Sequence, residues 1–210
     1  MSENIKVSVT IYAEMTPNPA TMKFVSNNHL LKNDENLMFE SMAEAKGYSP
    51  IAEALFQFPF VNAVFIAGNF ITVTKTDNVD WDFIVMELRE FIREWIFNKK
   101  EIMTMMPPNK DMPGYEDKKN EEGETIERKT FLASEYDTQI IDLLNEYVRP
   151  AVESDGGAID YIGFENGVVT VELKGSCSGC PSSTQTLKGG IEGLLTENMK
   201  GIVTEVIALS

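Results

Sequence analysis

The chain has 210 residues, of which 43% are hydrophobic, so it has enough apolar material for one large domain or two small ones. Acidic residues outnumber basic ones by 33 to 18, and at the resulting charge of -15 long-range repulsion disfavours nucleic acid or anionic lipid as a partner. The first residues lack the basic stretch and apolar core of a secretion signal, and no segment approaches the roughly 20 apolar residues that span a bilayer. We therefore predict a cytoplasmic protein with no nucleic-acid or membrane partner.

The first half of the sequence has the pattern of a compact α+β unit. Residues 5–12 alternate apolar and polar side chains, which predicts a half-buried strand, and the run TPNP at 16–19 predicts a turn after it. Ser-Pro at 49–50 is typical of a helix start, and Gly-Asn at 68–69 separates two β-rich runs. We expect a short helix and a hairpin at these two places.

A longer helix is predicted after Asp80. Its apolar residues recur at helical spacing, and we interpret this stripe as part of a core rather than as a cofactor site. The residues of the stripe are Trp81, Ile84, Val85, Leu88, Phe91, Ile92 and Trp95.

The composition changes between residues 103 and 134. Ten of the fourteen residues at 116–129 are charged, with both signs mixed, so this part cannot bury enough surface to offset the entropy lost on ordering. A solvated helix is the alternative, and Gly123 and the nearby prolines disfavour it. We predict a charged linker at 103–134 that joins two small α+β domains, 1–102 and 135–210.

The second half begins with a predicted helix and a hairpin. Apolar residues at helical spacing over 140–148 indicate the helix, in which Pro150 is a candidate for a kink and Gly-Gly at 156–157 for the end. Two β-rich runs follow, and the tight-turn sequence Glu-Asn-Gly at 165–167 lies between them.

A loop, a second helix and a last strand complete the second half. Either Ser182 or Ser183 is a suitable residue to cap the helix, and residues 201–209 have the composition of a strand. The predicted order of this domain is α-β-β-α-β.

Both cysteines of the chain lie in the loop KGSCSGCPSST, residues 174–184. A structural disulfide is disfavoured in a reducing cytosol, so we expect Cys177 and Cys180 to serve in metal or redox chemistry. The amino end of a helix lowers the pKa of a thiol, and Cys180 stands at such a predicted end. Gly175 and Gly179 allow the backbone to curl around a ligand. The loop therefore has the features of a site for something anionic.

The residues alone leave several chemistries open. A thioredoxin-like redox pair fits a strand–loop–helix context, but no β-α-β unit surrounds it here. A structural zinc site usually needs four Cys or His ligands, and the chain adds only the distant His29, which we interpret as a surface residue. An iron–sulfur cluster takes four thiolates, and two chains with Cys177 and Cys180 each would supply them across a two-fold axis. The last alternative is that the two cysteines are small core residues with no chemical role, and the glycine-rich loop disfavours it.

The second half closely resembles a known family through LLNEYVRPAVESDGGAIDYIGFENGVVTVELKGSCSGCPSSTQTLKGGIEGLLTENM. Over roughly 138–209 it is similar to the NifU-like C-terminal domain of the Nfu family of iron–sulfur cluster carriers. The first half resembles the family's N-terminal domain through TPNPATMKF, SPIAEALF and FIAGNFITVTK. Ala158 stands where the family commonly has a second acid after the Asp-Gly-Gly step, and the long charged linker is also atypical.

The resemblance implies a scaffold or carrier, not an enzyme. Such a protein binds a 4Fe–4S cluster between two C-terminal domains and passes it to apo iron–sulfur client proteins; a 2Fe–2S form stays open. Carried over to this sequence, the ligands are Cys177 and Cys180 of each chain in a homodimer, and other partners are the proteins that donate clusters. Two thiolates per chain in a loop near the surface imply weak retention and ready access for a competing thiol.

The two halves are expected to have different roles, and one alternative function remains open. The first half has no cysteine, so we expect it to recognise client or donor proteins. We also expect a fragment from about Thr130 to fold and bind the cluster without it. The alternative function is a thiol–disulfide oxidoreductase that uses the same cysteine pair.

Overall fold

The structure, a computed structural model, describes two α+β units, as predicted. We call them the front domain, residues 8–107, and the back domain, residues 131–209. The residues on which the linker prediction depends, 116–129, lie outside the described part of the chain, as do Gly179 and Cys180. The described ranges are 8–31, 35–107, 131–178 and 181–209, without the side chains of 181–183.

The front domain is a five-stranded antiparallel sheet with helices on one face. The strand order is β1-β2-β5-β4-β3. The strands are β1 Ile11–Met15, β2 Thr21–Ser26, β3 Asn36–Phe39, β4 Val61–Ala67 and β5 Phe70–Lys75. The helices are α1 Met42–Ala45, α2 Pro50–Leu55 and α3 Trp81–Phe97.

The core of the front domain lies between the sheet and these helices. The predicted stripe of α3 faces this core, with Ile84, Leu88 and Ile92 buried and its other four residues partly buried against it. The hairpin predicted at Gly68 and Asn69 joins β4 to β5. The interpretation of the stripe as core is therefore confirmed.

The first strand differs from its prediction. It begins at Ile11 rather than near residue 5, and residues 1–7 lie outside the described part of the chain. The strand extends to Met15 because β1 pairs with β2 in the register Ile11 to Ser26 and Met15 to Met22. Pairing with a neighbouring strand decides these ends, and the alternation of side chains does not show it.

The back domain has the predicted order α-β-β-α-β. Its sheet has the order β6-β7-β8, with β6 antiparallel and β8 parallel to the central strand β7. The predicted turn between β6 and β7 is present, with φ of 50° at Asn166 and 84° at Gly167. The elements are α4 Asp137–Leu143, a π-helical turn Leu144–Val148, α5 Arg149–Ser154, β6 Gly157–Glu165, β7 Val168–Gly175, α6 Pro181–Asn198 and β8 Glu205–Leu209.

Pro150 interrupts the first helix of the back domain through the π-helical turn that precedes it. Proline has no N–H, so the backbone hydrogen-bond pattern must change at this point. The helix ends before Gly156, whose φ of +82° suits glycine, in agreement with the predicted end.

The start of α6 corrects the sequence prediction. The helix begins at Pro181, so Ser182 and Ser183 lie in its first turn and neither is its N-cap. Proline suits the first position of a helix because its φ is already helical and the N–H that it lacks has no partner there.

Candidate functional site

The cysteine loop begins at the end of β7, the central strand of the back sheet. The last residue of β7 is Gly175, with φ of +68°. A Cβ added there would lie 2.6 Å from the carbonyl oxygen of Gly156 and 2.8 Å from Cδ1 of Phe65. The backbone conformation and the lack of space both require glycine at the start of the loop.

The thiol of Cys177 is free and points into the core of the back domain. The residue is 6% exposed, and a Cβ added to Gly157 would lie 2.8 Å from the sulfur. Burial raises the pKa of the Cys177 thiol; the hydroxyl of Ser176 opposes this effect, and the carboxylate of Asp155 adds to it. The thiol is therefore held in its neutral form.

This burial differs from the expectation that both thiolates lie near the surface. A neutral thiol behaves as a small apolar group, so the core favours it. A metal ligand must instead be a thiolate. As a metal ligand, Cys177 would therefore first have to lose the proton that its burial favours.

Cys180, the second predicted ligand, lies outside the described residues. The helix predicted to follow it is present and begins at the next residue, Pro181. A hydrogen bond links this helix to the loop: the hydroxyl of Thr184 donates to the carbonyl oxygen of Cys177 at 3.1 Å.

The described part of one chain does not supply a complete metal site. Among those residues, no group of three or more His, Cys, Asp or Glu side chains could hold a metal ion. His29 is exposed and lies in the front domain, beside a groove also lined by Arg149 and Glu153 of the back domain. Its interpretation as a surface residue is confirmed.

Three side chains of the front domain contact the main chain around the loop. Thr72 Oγ1 donates to the carbonyl oxygen of Gly156 at 2.7 Å. Asn18 Nδ2 donates to the carbonyl oxygen of Ser176 at 3.2 Å, and Lys23 Nζ donates to the carbonyl oxygen of Ser154 at 3.1 Å.

Sequence reasoning missed these three contacts. A signal that something covers the second face of the front sheet was available, because the run VFIA at 64–67 in β4 is apolar without alternation.

Most of this chain is similar to curated proteins of Drosophila. A protein of Drosophila ananassae named "NFU1 iron-sulfur cluster scaffold homolog, mitochondrial" is 35% identical over 88% of this chain and 59% of its own length. The protein of the same name from Drosophila virilis is 34% identical over 93% of this chain and 60% of its own length. The chain thus spans about 60% of the length of these relatives.

The names of the relatives correct one expectation. They point to mitochondria, so the prediction of a cytoplasmic protein is wrong. That prediction excluded only secretion signals and membrane spans, and neither feature separates cytoplasm from mitochondria. In the described part of the chain, no helix has the length and apolar character needed to cross a membrane.

Family models match both domains. Residues 11–99 match the model described as "Scaffold protein Nfu/NifU N terminal", and residues 140–207 match the NifU-like domain. The second match includes the cysteine loop and the strands and helices that carry it. The chain therefore belongs to the Nfu family of iron–sulfur cluster scaffold proteins, with its N-terminal and NifU-like domains in the family's order.

Proposed function

We propose that the protein is a non-enzymatic carrier that holds a 4Fe–4S cluster between two copies of the chain and transfers it to apo iron–sulfur proteins. Its cluster ligands are Cys177 and Cys180 of each copy. We propose that the two domains extend over 1–102 and 135–210, that the linker is 103–134, and that the second domain holds the cluster. The front domain recognises client or donor proteins.

The observation that carries the proposal is that the thiol of Cys177 is free and that the described residues around it are too few to complete a metal site. The thiol follows the central strand of the back sheet, and no metal-binding group of three or more side chains exists among the described residues. Iron–sulfur clusters are held by four cysteine thiolates, so a chain with two cysteines needs a second copy to complete the site.

Membership of the Nfu family adds support, because the relatives are named as iron–sulfur cluster scaffolds. The runner-up, a thiol–disulfide oxidoreductase, has no such support from the names of the relatives. Both functions need Cys177 as a thiolate, so its burial does not favour one over the other.

Anaerobic reconstitution with iron and sulfide tests the proposal. We expect a coloured dimer with about four iron atoms per two chains, and apo-protein that is not a stable dimer at the same concentration. A 2Fe–2S form would give about two iron atoms per dimer and a different absorption spectrum. A colourless protein that catalyses disulfide reduction would contradict the carrier and support the runner-up.

Variants then test the ligands. Cys177→Ala and Cys180→Ala should each lose the cluster on desalting. His29→Ala is the matched control, because His29 is the only histidine of the chain, and this variant should keep the full iron content. Retention of iron and sulfide by either cysteine variant would show that the ligand assignment is wrong.

A further inference from the structure

The front sheet has a second face, opposite its helices, that is also covered. In β4 and β5 the side chains of Val64, Ile66, Ile71 and Val73 enter the helix-covered core. The alternate residues Phe65, Ala67 and Phe70 form a separate apolar cluster on the other side. Phe65 and Phe70 are 1% and 6% exposed, so something covers them.

The back domain covers this second face. Ala158 of β6 is 3% exposed and belongs to the cluster of Phe65 and Phe70, whose other members all come from the front domain. Gly175 lies against the ring of Phe65. We call the surface formed by Asn18, Lys23, Phe65, Phe70 and Thr72 the docking face.

The polar residues of the docking face bind main-chain atoms of the cysteine loop and of the residues just before β6. Thr72 and Lys23 donate to the carbonyl groups of Gly156 and Ser154, which precede β6, and Asn18 donates to Ser176 within the loop. Gly156 O in turn accepts from the N–H of Ser176 at 3.2 Å. The front domain therefore contacts both partners of the hydrogen bond between Gly156 and Ser176, and Ser176 directly precedes Cys177.

Lys23 fits this position electrostatically as well. Its side chain is 11% exposed, and its ammonium group lies 3.6 Å from Glu14 and 4.7 Å from the centre of the Phe70 ring. Its acceptor, Ser154 O, lies at the carboxyl end of α5, where the helix dipole favours a positive charge.

We propose that the docking face clamps the cysteine loop: the front domain binds the back domain of the same chain and fixes the loop backbone, so that releasing the contact frees Cys177. Asn18 and Thr72 are then positioning residues for the loop. The effect on cluster retention rests on the proposed function, whereas the docking itself does not. The covalent link makes docking intramolecular, with an effective concentration on the order of millimolar, so a contact that is tighter than millimolar stays formed.

Ala158→Glu tests the docking in the full-length apo-protein. The new carboxylate would meet the rings of Phe65 and Phe70 in the docked form. In the undocked form it faces solvent and the ammonium of Lys174, which is its cross-strand partner in β7. The variant therefore penalises docking more than it penalises the back domain. Ala151→Glu is the matched control, because Ala151 is exposed on α5 of the same domain.

The measurement is the rate at which iodoacetamide alkylates Cys177, resolved from Cys180 by peptide mass spectrometry. We expect Ala158→Glu to speed the reaction about tenfold, which corresponds to a loss of about 1.4 kcal/mol. Ala151→Glu should react at the wild-type rate. Equal rates for all three proteins would overturn the clamp. A wild-type rate that falls as protein concentration rises would overturn docking within one chain, because it would indicate docking between copies.

A change on the front domain tests the same contact independently of Ala158. Thr72→Val removes the hydroxyl that binds Gly156 O and should speed alkylation about threefold, the effect of one hydrogen bond. Thr72→Ser retains the hydroxyl and should restore the wild-type rate. A rate for Thr72→Ser as fast as that of Thr72→Val would show that packing, not the hydrogen bond, positions the loop, and would overturn the role of Thr72.

The loaded protein tests the consequence for the cluster. Ala158→Glu should lose iron to a chelator faster than Ala151→Glu. If Ala158→Glu is alkylated faster but loses iron at the same rate as Ala151→Glu, the proposed effect on cluster retention is wrong and the proposed docking stands. If the wild type assembles no cluster, the proposed function fails, and the alkylation rates still decide the docking.

Discussion

The two domains share the α+β class but differ in what their cores contain. Three phenylalanines are among the largest fully buried side chains described, and all three, Phe24, Phe39 and Phe65, lie in the front domain. The core of the back domain instead includes Cys177 at the start of its functional loop. In the back domain the reactive group is thus itself part of the packing, whereas the front domain contributes Phe65, which lies against Gly175 at the start of the loop.

Glycines beside the cysteine loop differ from those of the front domain and from Gly189 and Gly201 of the back domain, where an added Cβ would meet nothing within 4 Å. In the front domain, a Cβ added to Gly47 or Gly68 would meet nothing within 4 Å. In the back domain, a Cβ added to Gly157 or Gly175 would lie 2.6 Å from a main-chain oxygen. The backbone beside the cysteine loop is therefore tightly packed at these two positions, and substitutions there should affect stability and binding together.

The largest difference between the domains should come from glycine substitution. Gly175→Ala places a Cβ against main-chain atoms at a positive φ, and we expect it to cost about 4 kcal/mol or more and to abolish cluster loading. Gly68→Ala has a positive φ but open space, so its cost should stay near 1 kcal/mol. Thermal unfolding of the apo-proteins measures both, and equal losses would remove the contrast.

Truncation of fully buried leucines should separate the domains by function. Leu88→Ala in α3 and Leu195→Ala in α6 each create a cavity at a residue with 0% exposure, with an expected cost of about 2–5 kcal/mol. At a temperature where both variants remain folded, only Leu195→Ala should reduce iron content after reconstitution. An equal loss of iron in Leu88→Ala would show that the core of the front domain supports the site directly.

Substitution of Cys177 should lower stability as well as remove the cluster, because the residue is buried in the core of the back domain. Cys177→Ser buries a hydroxyl and should cost about 1–3 kcal/mol in the apo-protein. Cys177→Ala loses contacts but buries no polar group, so it should be the more stable of the two. Chemical denaturation compares them, and the reverse order would show that the serine hydroxyl finds a partner.

The smallest effect concerns a hydrogen bond of the back domain and its dependence on pH. Tyr161 OH donates to Asp137 at 2.5 Å, and burial first, then the carboxylate of Asp137, raises the pKa of Tyr161. Tyr161→Phe should cost about 1 kcal/mol at pH 7. Because the folded protein favours the neutral phenol, this contribution is complete below the ordinary pKa of about 10 and is lost as pH rises through the raised value.

Denaturation of wild type and Tyr161→Phe at pH 7 and above pH 10 measures this difference. The matched control is Tyr12→Phe in the front domain, where the side chain is 62% exposed and the change should be within about 0.5 kcal/mol. A gap between wild type and Tyr161→Phe that persists unchanged at high pH would contradict the assignment of the bond.

Local patterns were sufficient for much of the fold. The turns at Gly68-Asn69 and Asn166-Gly167, the stripe of α3 and the α-β-β-α-β order depend on residues that are near each other in sequence, and the structure confirms them. The short strand β3 had no such signal, whereas helix α1 had one that was missed, the capping-box pattern of Ser41 and Glu44. The resemblance carried by the cysteine loop likewise identified the family before any geometry was known.

Only the tertiary structure decided where Cys177 points and what covers the second face of the front sheet. Thr72 and Gly156 are 84 residues apart, and Asn18 and Ser176 are 158 apart. Spacing along the chain carries no record of such contacts, because they depend on how two surfaces that are distant in sequence fit together. The residue type at 158 shows the same limit: Ala158 departs from the family pattern in the sequence, and only its burial against Phe65 and Phe70 gives that departure a physical reason.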